Sequence, residues 1–96
     1  MQSSTERVRM LLKQYHILRM QVNNGLGGKK LKAEVEFIEN SINALPEKDY
    51  TLMLRVFVSK ESLREVANKE FVSHETIRKR LKKIMKSIET VYESLF

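Results

Sequence analysis

The residues best suited to binding chemistry lie in the last third of the chain, where positive charges cluster. Residues 74–86 contain six Lys or Arg side chains and a single acid, Glu75. A solvated helix face usually mixes the two signs, so a cluster of one sign indicates a polyanionic partner. The six cations are Arg78, Lys79, Arg80, Lys82, Lys83 and Lys86.

The positive excess of the whole chain is concentrated around this cluster. The formal net charge is +6 at pH 7. Residues 55–86 carry ten Lys or Arg and four Asp or Glu, whereas residues 1–54 carry eight and six. Residues 87–96 carry two acids and no Lys or Arg. The distribution indicates that the polyanionic partner binds the 55–86 segment.

The apolar residues around the cluster have the spacing of two helices that cross at a tight turn. Ala67 and Ile77 lie ten residues apart. A small residue lets the second helix cross closely over the first, and a branched residue fills the crossing. Between them, the hydroxyl of Ser73 is expected to cap the second helix by accepting from its free N–H groups.

The two crossing helices are predicted over residues 60–69 and 74–94. Ser59 is the expected cap of the first, and residues 70–72 form the turn. In the second helix, apolar residues step by 4, 3, 4, 3 and 4, which predicts a packing seam to its end. Beyond residue 88 we expect some apolar surface to remain for a partner. The seam residues are Ile77, Leu81, Ile84, Ile88, Val91 and Leu95.

The residues before this pair predict further helices, which gives an all-α fold of about five helices. Apolar residues recur every three or four positions over 4–23 and 31–45. A nearly apolar run within 47–58 follows Pro46, which is well placed to begin a helix. The acidic residues of the 31–45 helix are expected on its outer faces, namely Glu34, Glu36 and Glu39.

These helices divide into two regions that are expected to pack as one compact unit. Residues 1–45 form an N-terminal helical region, and residues 46–96 form a domain that contains the crossing helices. All three glycines lie in a linker predicted at 24–30. A Gly-rich segment can cradle phosphate in a P-loop, but this one follows a helix and lacks the Walker pattern. The linker interpretation is therefore favoured.

Composition argues against several other classes of site. The chain has no cysteine, which excludes a disulfide framework and a Cys-ligated zinc site. Neither His16 nor His74 has a second ligand at metal spacing on its own helix, and no nucleophile–base–acid set is visible. We expect no cofactor, no metal and no enzymatic activity. No stretch has the length of a membrane span or the features of a signal peptide, so a cytoplasmic protein without a membrane partner is expected.

Three short motifs together resemble a known class of helix-turn-helix proteins. Leu45-Pro46-Glu47 is followed about twenty residues later by Val66-Ala67, and then by Val72-Ser73-x-x-Thr76-Ile77. Over residues 45–90 this pattern resembles region 4 of bacterial sigma factors and the ArpU/RinA-type phage regulators, and it is similar to the LuxR-type helix-turn-helix. One departure is Glu70, where these families bury a Leu. The first helix then either ends early or uses Phe71 for that packing.

The resemblance implies a sequence-specific double-stranded DNA-binding regulator of transcription, encoded by a phage or another mobile element. Its last helix would enter the major groove, where Arg78 and Lys79 could bond guanine and Glu75 a cytosine amino group. Hydroxyls and the remaining lysines are better placed for phosphates. Arg80 and Lys83 are expected on other faces. The implied DNA-binding residues are Lys60, Ser62, Ser73, His74, Glu75, Thr76, Arg78, Lys79 and Lys82.

An interaction module is the alternative interpretation. A domain that resembles sigma region 4 could bind RNA polymerase or another regulator, as an adaptor or an inhibitor. A homodimer is also expected, because two DNA half-sites usually come with a two-fold protein. Neither the target sequence nor the sign of regulation follows from the amino-acid sequence.

Overall fold

The computed structural model describes residues 3–96, which form six α-helices and no strand. The all-α prediction is therefore confirmed for these residues. There is one helix more than the predicted five, since the helix expected over 4–23 is divided. Within residues 3–96, no helix has the length and apolar character needed to cross a membrane. The helices are α1 Ser4–Lys13, α2 Tyr15–Asn23, α3 Gly28–Asn43, α4 Glu47–Met53, α5 Leu63–Glu70 and α6 His74–Leu95.

The division between α1 and α2 falls at Gln14. Its backbone leaves the helical region, with φ −107° and ψ 18°. At the same point the carbonyl of Lys13 accepts a hydrogen bond of 2.9 Å from the Nζ of Lys60. A side chain that inserts at a helix carbonyl is a common cause of a break. The apolar periodicity of 4–23 does not reveal it, because the periodicity continues across the break.

The glycine segment is shorter than predicted, and α3 begins three residues earlier than expected. Gly27 precedes α3 in the left-handed conformation, with φ +87°. The left-handed conformation favours glycine here, and a Cβ at Gly27 would also press on the side chain of Leu31. The predicted linker at 24–30 is therefore confined to 24–27.

The chain between α4 and α5 also differs from the prediction. A π-helical turn, Leu54–Val58, continues α4, and the N–H of Ser59 donates to the Leu54 carbonyl at 2.9 Å. Ser59 is thus the end of one helix and not the cap of the next. The cap of α5 is Ser62, whose Oγ accepts from the N–H of Glu65 at 3.1 Å. The predicted start of the first crossing helix at residue 60 is wrong by three residues.

One cluster of buried apolar side chains receives residues from every helix. Within it, the N-terminal region of the chain packs directly against α6 and α4. The first crossing helix contributes Val66 and Ala67, which are 0% and 2% exposed. The other buried members are Val8, Leu11, Leu12, Leu18, Val35, Phe37, Ile38, Leu52, Met53, Ile77, Ile84, Met85, Ile88 and Tyr92.

The buried face of α6 follows the predicted seam only as far as Ile88. Beyond it, Val91 and Leu95 are 49% and 65% exposed, while Tyr92 is buried. The Tyr92 ring stacks on Phe96 and meets Phe37 edge-on, at centroid distances of 4.9 and 5.9 Å. A straight helix drifts relative to a seven-residue repeat, so the buried face rotates from the seam to Tyr92.

Glu34 is fully buried, which contradicts its predicted place on an outer face. Arg7 on α1 donates to both carboxylate oxygens, at 2.8 Å from Nε and 2.6 Å from Nη2. The hydroxyl of Tyr92 on α6 donates to the same carboxylate at 2.6 Å. A buried carboxylate needs such partners, because without them its desolvation would oppose folding. The network fastens the C-terminal end of α6 to α1 and α3.

Candidate nucleic-acid interface

The junction between α5 and α6 is a three-residue connection with defined hydrogen bonds. Phe71 adopts the left-handed conformation, with φ +56° and ψ +39°. Its N–H donates to the Asn68 carbonyl at 3.4 Å, and the Val72 N–H donates to the Ala67 carbonyl at 3.1 Å. This pair of bonds is the Schellman arrangement, in which a left-handed residue ends a helix. The connection turns the chain sharply into α6.

The two residues whose spacing predicted a crossing are both buried at the α5–α6 contact. Ala67 is 2% exposed and Ile77 is 0% exposed. Helix α5 packs chiefly against α6. A small residue opposite a branched one allows the close approach that the spacing indicated.

Glu70, at the position where the predicted resemblance implies a buried Leu, is held in an ion pair. Its carboxylate accepts from Nη1 of Arg80 at 3.1 Å, and Arg80 also lies 3.6 Å from the Asp49 carboxylate of α4. Helix α5 continues through Glu70, so it does not end early. The side chain of Phe71 is 94% exposed, so the expectation that its ring packs in place of Leu is wrong. An ion pair replaces the apolar contact.

The N-terminal turn of α6 carries two hydroxyls side by side. The Oγ of Ser73 accepts from the Thr76 N–H at 3.1 Å, which confirms the predicted cap. The two side-chain oxygens lie 2.8 Å apart and share one hydrogen bond. His74 is exposed in the same turn. Free N–H groups and hydroxyl donors at a helix N-terminus are suited to an anionic partner.

Arg78 and Glu75, two of the residues predicted to read bases, form an ion pair with each other. Arg78 donates to Glu75 at 2.7 Å from Nη2 and 3.1 Å from Nε. The hydrogen bond from Arg78 lowers the pKa of Glu75, and the Glu75 carboxylate raises the pKa of Arg78. Both side chains are exposed, so water competes with the pair. Direct contact of either group with a base would require this pair to open or to bind as a unit.

Four lysines form one exposed face of α6, which we call the lysine stripe: Lys79, Lys82, Lys83 and Lys86. At 3.6 residues per turn they fall opposite the buried Ile77, Ile84 and Ile88. Among residues 3–96, none of the four lies in an ion pair. Lys83, which was expected on another face, belongs to the stripe. Arg80 is half-buried against α5 and α4, so it was rightly separated from the stripe.

The two predicted contacts that precede α5 have roles within the fold. Ser62 caps α5, as described above. Lys60 is left-handed at φ +56°, and its Nζ is held at the carbonyl end of α1. The remaining predicted residues, from Ser73 to Lys82, share the N-terminal half of α6. Sequence reasoning missed the full length of the stripe and the exposure of Phe71, although counting helical positions would have placed Lys83.

Comparisons with known proteins assign nothing to this surface. No family model, no curated protein and no solved structure matches the chain. The resemblance to sigma region 4 and to LuxR-type domains therefore remains a prediction carried by residue spacing. Within residues 3–96, no group of three or more His, Cys, Asp or Glu side chains is arranged to hold a metal ion.

Proposed function

We propose that this protein is a sequence-specific double-stranded DNA-binding regulator of transcription, with α5, the turn and α6 acting as a helix-turn-helix. The observation that carries the proposal is the lysine stripe, because four exposed cations on one face have no acidic partner within residues 3–96. The phosphates of a duplex form a polyanion, which is the kind of partner that a row of unpaired cations binds. The buried Ala67–Ile77 crossing and the capped N-terminus of α6 support it independently.

In this proposal the N-terminal half of α6 enters the major groove. Arg78 and Lys79 bond guanine edges, and Glu75 accepts from a cytosine amino group once it leaves Arg78. Each good base contact would contribute about 1–3 kcal/mol of discrimination. The hydroxyls of Ser73 and Thr76 and the other three stripe lysines, Lys82, Lys83 and Lys86, bind phosphates, which fixes the helix in the groove.

The same proposal extends to the origin of the protein. The Leu45-Pro46-Glu47 element and the spacing that follows it resemble sigma region 4 and the ArpU/RinA-type phage regulators. A phage or mobile-element origin is therefore proposed with the function. A cytoplasmic location follows from a role on DNA.

Selection of bound sequences from a pool of random duplexes tests the proposal. We expect enrichment of one motif, and a palindrome would establish a two-fold complex at the same time. Arg78→Ala should then weaken binding to the selected site more than to random DNA, since a base contact is lost. Equal losses on both would make Arg78 a phosphate contact. A pool that stays random would contradict sequence specificity.

A second candidate function is protein interaction, and the exposed end of α6 favours it. Val91 and Leu95 lie one helical turn apart and are 49% and 65% exposed. A second copy of the chain is the proposed occupant, because a dimer would place two α6 helices on two half-sites. RNA polymerase is the alternative partner. Sedimentation that gives a monomer at tens of micromolar, with and without DNA, would remove the dimer and leave DNA binding intact.

A further inference from the structure

Phe71 costs the fold stability through its backbone conformation and gains no burial in return. The ring is 94% exposed, which is the highest value among the exposed large apolar side chains of residues 3–96. Its backbone is left-handed at φ +56°, a conformation that disfavours side chains with a Cβ. Helices that end in a Schellman arrangement usually place glycine there.

The other non-glycine residue with a positive φ among residues 3–96 is Lys60, and it differs in one respect. The Lys60 side chain makes a hydrogen bond with α1, so its conformation serves the fold. The ring of Phe71 makes none of the aromatic contacts found in the described part of the chain. Strained residues of this kind are concentrated at functional sites.

The place of Phe71 in the chain puts its ring near the basic end of α6. Phe71 is three residues before His74, so their Cα atoms are within about 11 Å of one another. The ring therefore lies at the end of α6 that carries the capped N-terminus, Arg78 and the start of the lysine stripe. An uncharged ring among cations fits a partner that offers apolar and anionic groups side by side.

We propose that Phe71 is a specificity residue whose ring packs against the C5-methyl group of a thymine at the edge of the major groove. This inference rests on the proposed function. The thymine methyl is the apolar group that the major groove presents, and Phe is among the side chains that contact it. Phe71 would thus favour an A·T pair at a base position next to those read by α6.

The test uses the full chain and the site obtained by selection. Each thymine of that site is replaced in turn by deoxyuridine, which removes one methyl group. For the wild-type protein, we expect about a fourfold loss of affinity at one thymine, the value of one buried methyl group. Phe71→Gly should lose a similar factor on the unmodified site and should then be insensitive to uracil at that position.

Two further variants separate the ring from the backbone and from general apolarity. Phe71→Asn tolerates the left-handed conformation, so it should behave like Phe71→Gly if the ring is what matters. Met20→Ala removes another exposed apolar side chain, on α2, and should keep both affinity and uracil sensitivity. The thermal midpoint of Phe71→Gly should rise by a few degrees, which shows that lost binding is not unfolding.

Two outcomes would overturn the inference while the proposed function stands. One is Phe71→Gly binding the selected site as tightly as the wild type. The other is a loss of binding in Phe71→Gly when no thymine of the site is sensitive to uracil, because the ring would then contact something else. A wild-type protein that selects no sequence would overturn the proposed function, and this inference with it.

Discussion

At the scale of single residues, the Glu34 network is the feature that links distant parts of the chain. The carboxylate is fully buried and accepts from Arg7 and Tyr92, which are 27 and 58 residues away in sequence. Hydrogen bonding from Arg7 outweighs burial and lowers the pKa of Glu34, and the bond from Tyr92 acts in the same direction. Burial and the Glu34 carboxylate raise the pKa of Tyr92, so its hydroxyl stays a donor.

Loss of Arg7 should destabilise the protein strongly. Arg7→Ala leaves the Glu34 carboxylate buried with one donor, and breaking a buried pair costs about 3 kcal/mol. Arg19→Ala is the matched control, because the Arg19–Glu39 pair at 3.0 Å is more exposed on both sides. That change should cost less than about 1 kcal/mol. Urea unfolding measures both, and equal losses would show that the Glu34 network contributes no more than a surface pair.

The same carboxylate should make stability depend on pH. The folded pKa of Glu34 is lowered from its ordinary value of 4.5, so its contribution is complete above that value. The contribution is lost as pH falls from 4.5 through the lowered folded pKa. The free energy of unfolding of the wild type should therefore fall more steeply with acid than that of Glu34→Gln. Glu36→Gln, on the exposed face of α3, should keep the wild-type slope; a parallel slope for Glu34→Gln would contradict the account.

At the scale of elements, the α5–α6 crossing sets the direction of the basic helix. Ala67 and Ile77 are both buried, and α5 packs against α6. The Glu70–Arg80 pair closes the outer side of the junction and ties it to α4 through Asp49. A fixed junction holds the exposed face of α6 in one orientation.

Enlarging Ala67 should separate the helices. Ala67→Leu adds three carbons at a position that is 2% exposed, and overpacking of this kind costs about 1–3 kcal/mol. Asn68→Leu introduces the same side chain at the exposed neighbouring position and should change the free energy of unfolding by less than about 0.5 kcal/mol. Chemical denaturation compares the two. If Ala67→Leu is as stable as Asn68→Leu, the close crossing is absent.

The elements also show what the sequence could and could not predict. The Ser73 cap and the apolar character of Ala67 and Ile77 are local features, so the cap and the burial of these two residues could be predicted. The break at Gln14 lies beside the bond from Lys60, 46 positions along the chain, and periodicity carries no trace of such a contact. The burial of Glu34 could not be predicted either. A Glu in a helical sequence pattern is assigned to the surface unless its hydrogen-bond partners are known.

At the scale of the whole molecule, one end of α6 is basic and the other is joined to the core by aromatic rings and a buried carboxylate. The lysine stripe occupies the exposed side of α6 from Lys79 to Lys86, and the Tyr92 contacts hold the C-terminal end of the helix. The N-terminal region therefore packs against the buried side of α6, and the basic face of α6 remains exposed. The sequence shows where the positive charge is concentrated. Only the structure shows that, within residues 3–96, the stripe lysines form no ion pairs.

The most direct test of the account is the affinity of the wild-type protein for duplex DNA across a range of salt concentrations. Three stripe lysines on phosphates, Lys82, Lys83 and Lys86, predict a slope of log affinity against log salt of about −2.7 or steeper. Lys82→Gln/Lys83→Gln should reduce that slope by about two units, whereas Lys29→Gln/Lys30→Gln, which removes the same charge at the start of α3, should not. Wild-type protein that binds no duplex, or binds it with an affinity independent of salt, would contradict the claim that α6 is a DNA-binding helix.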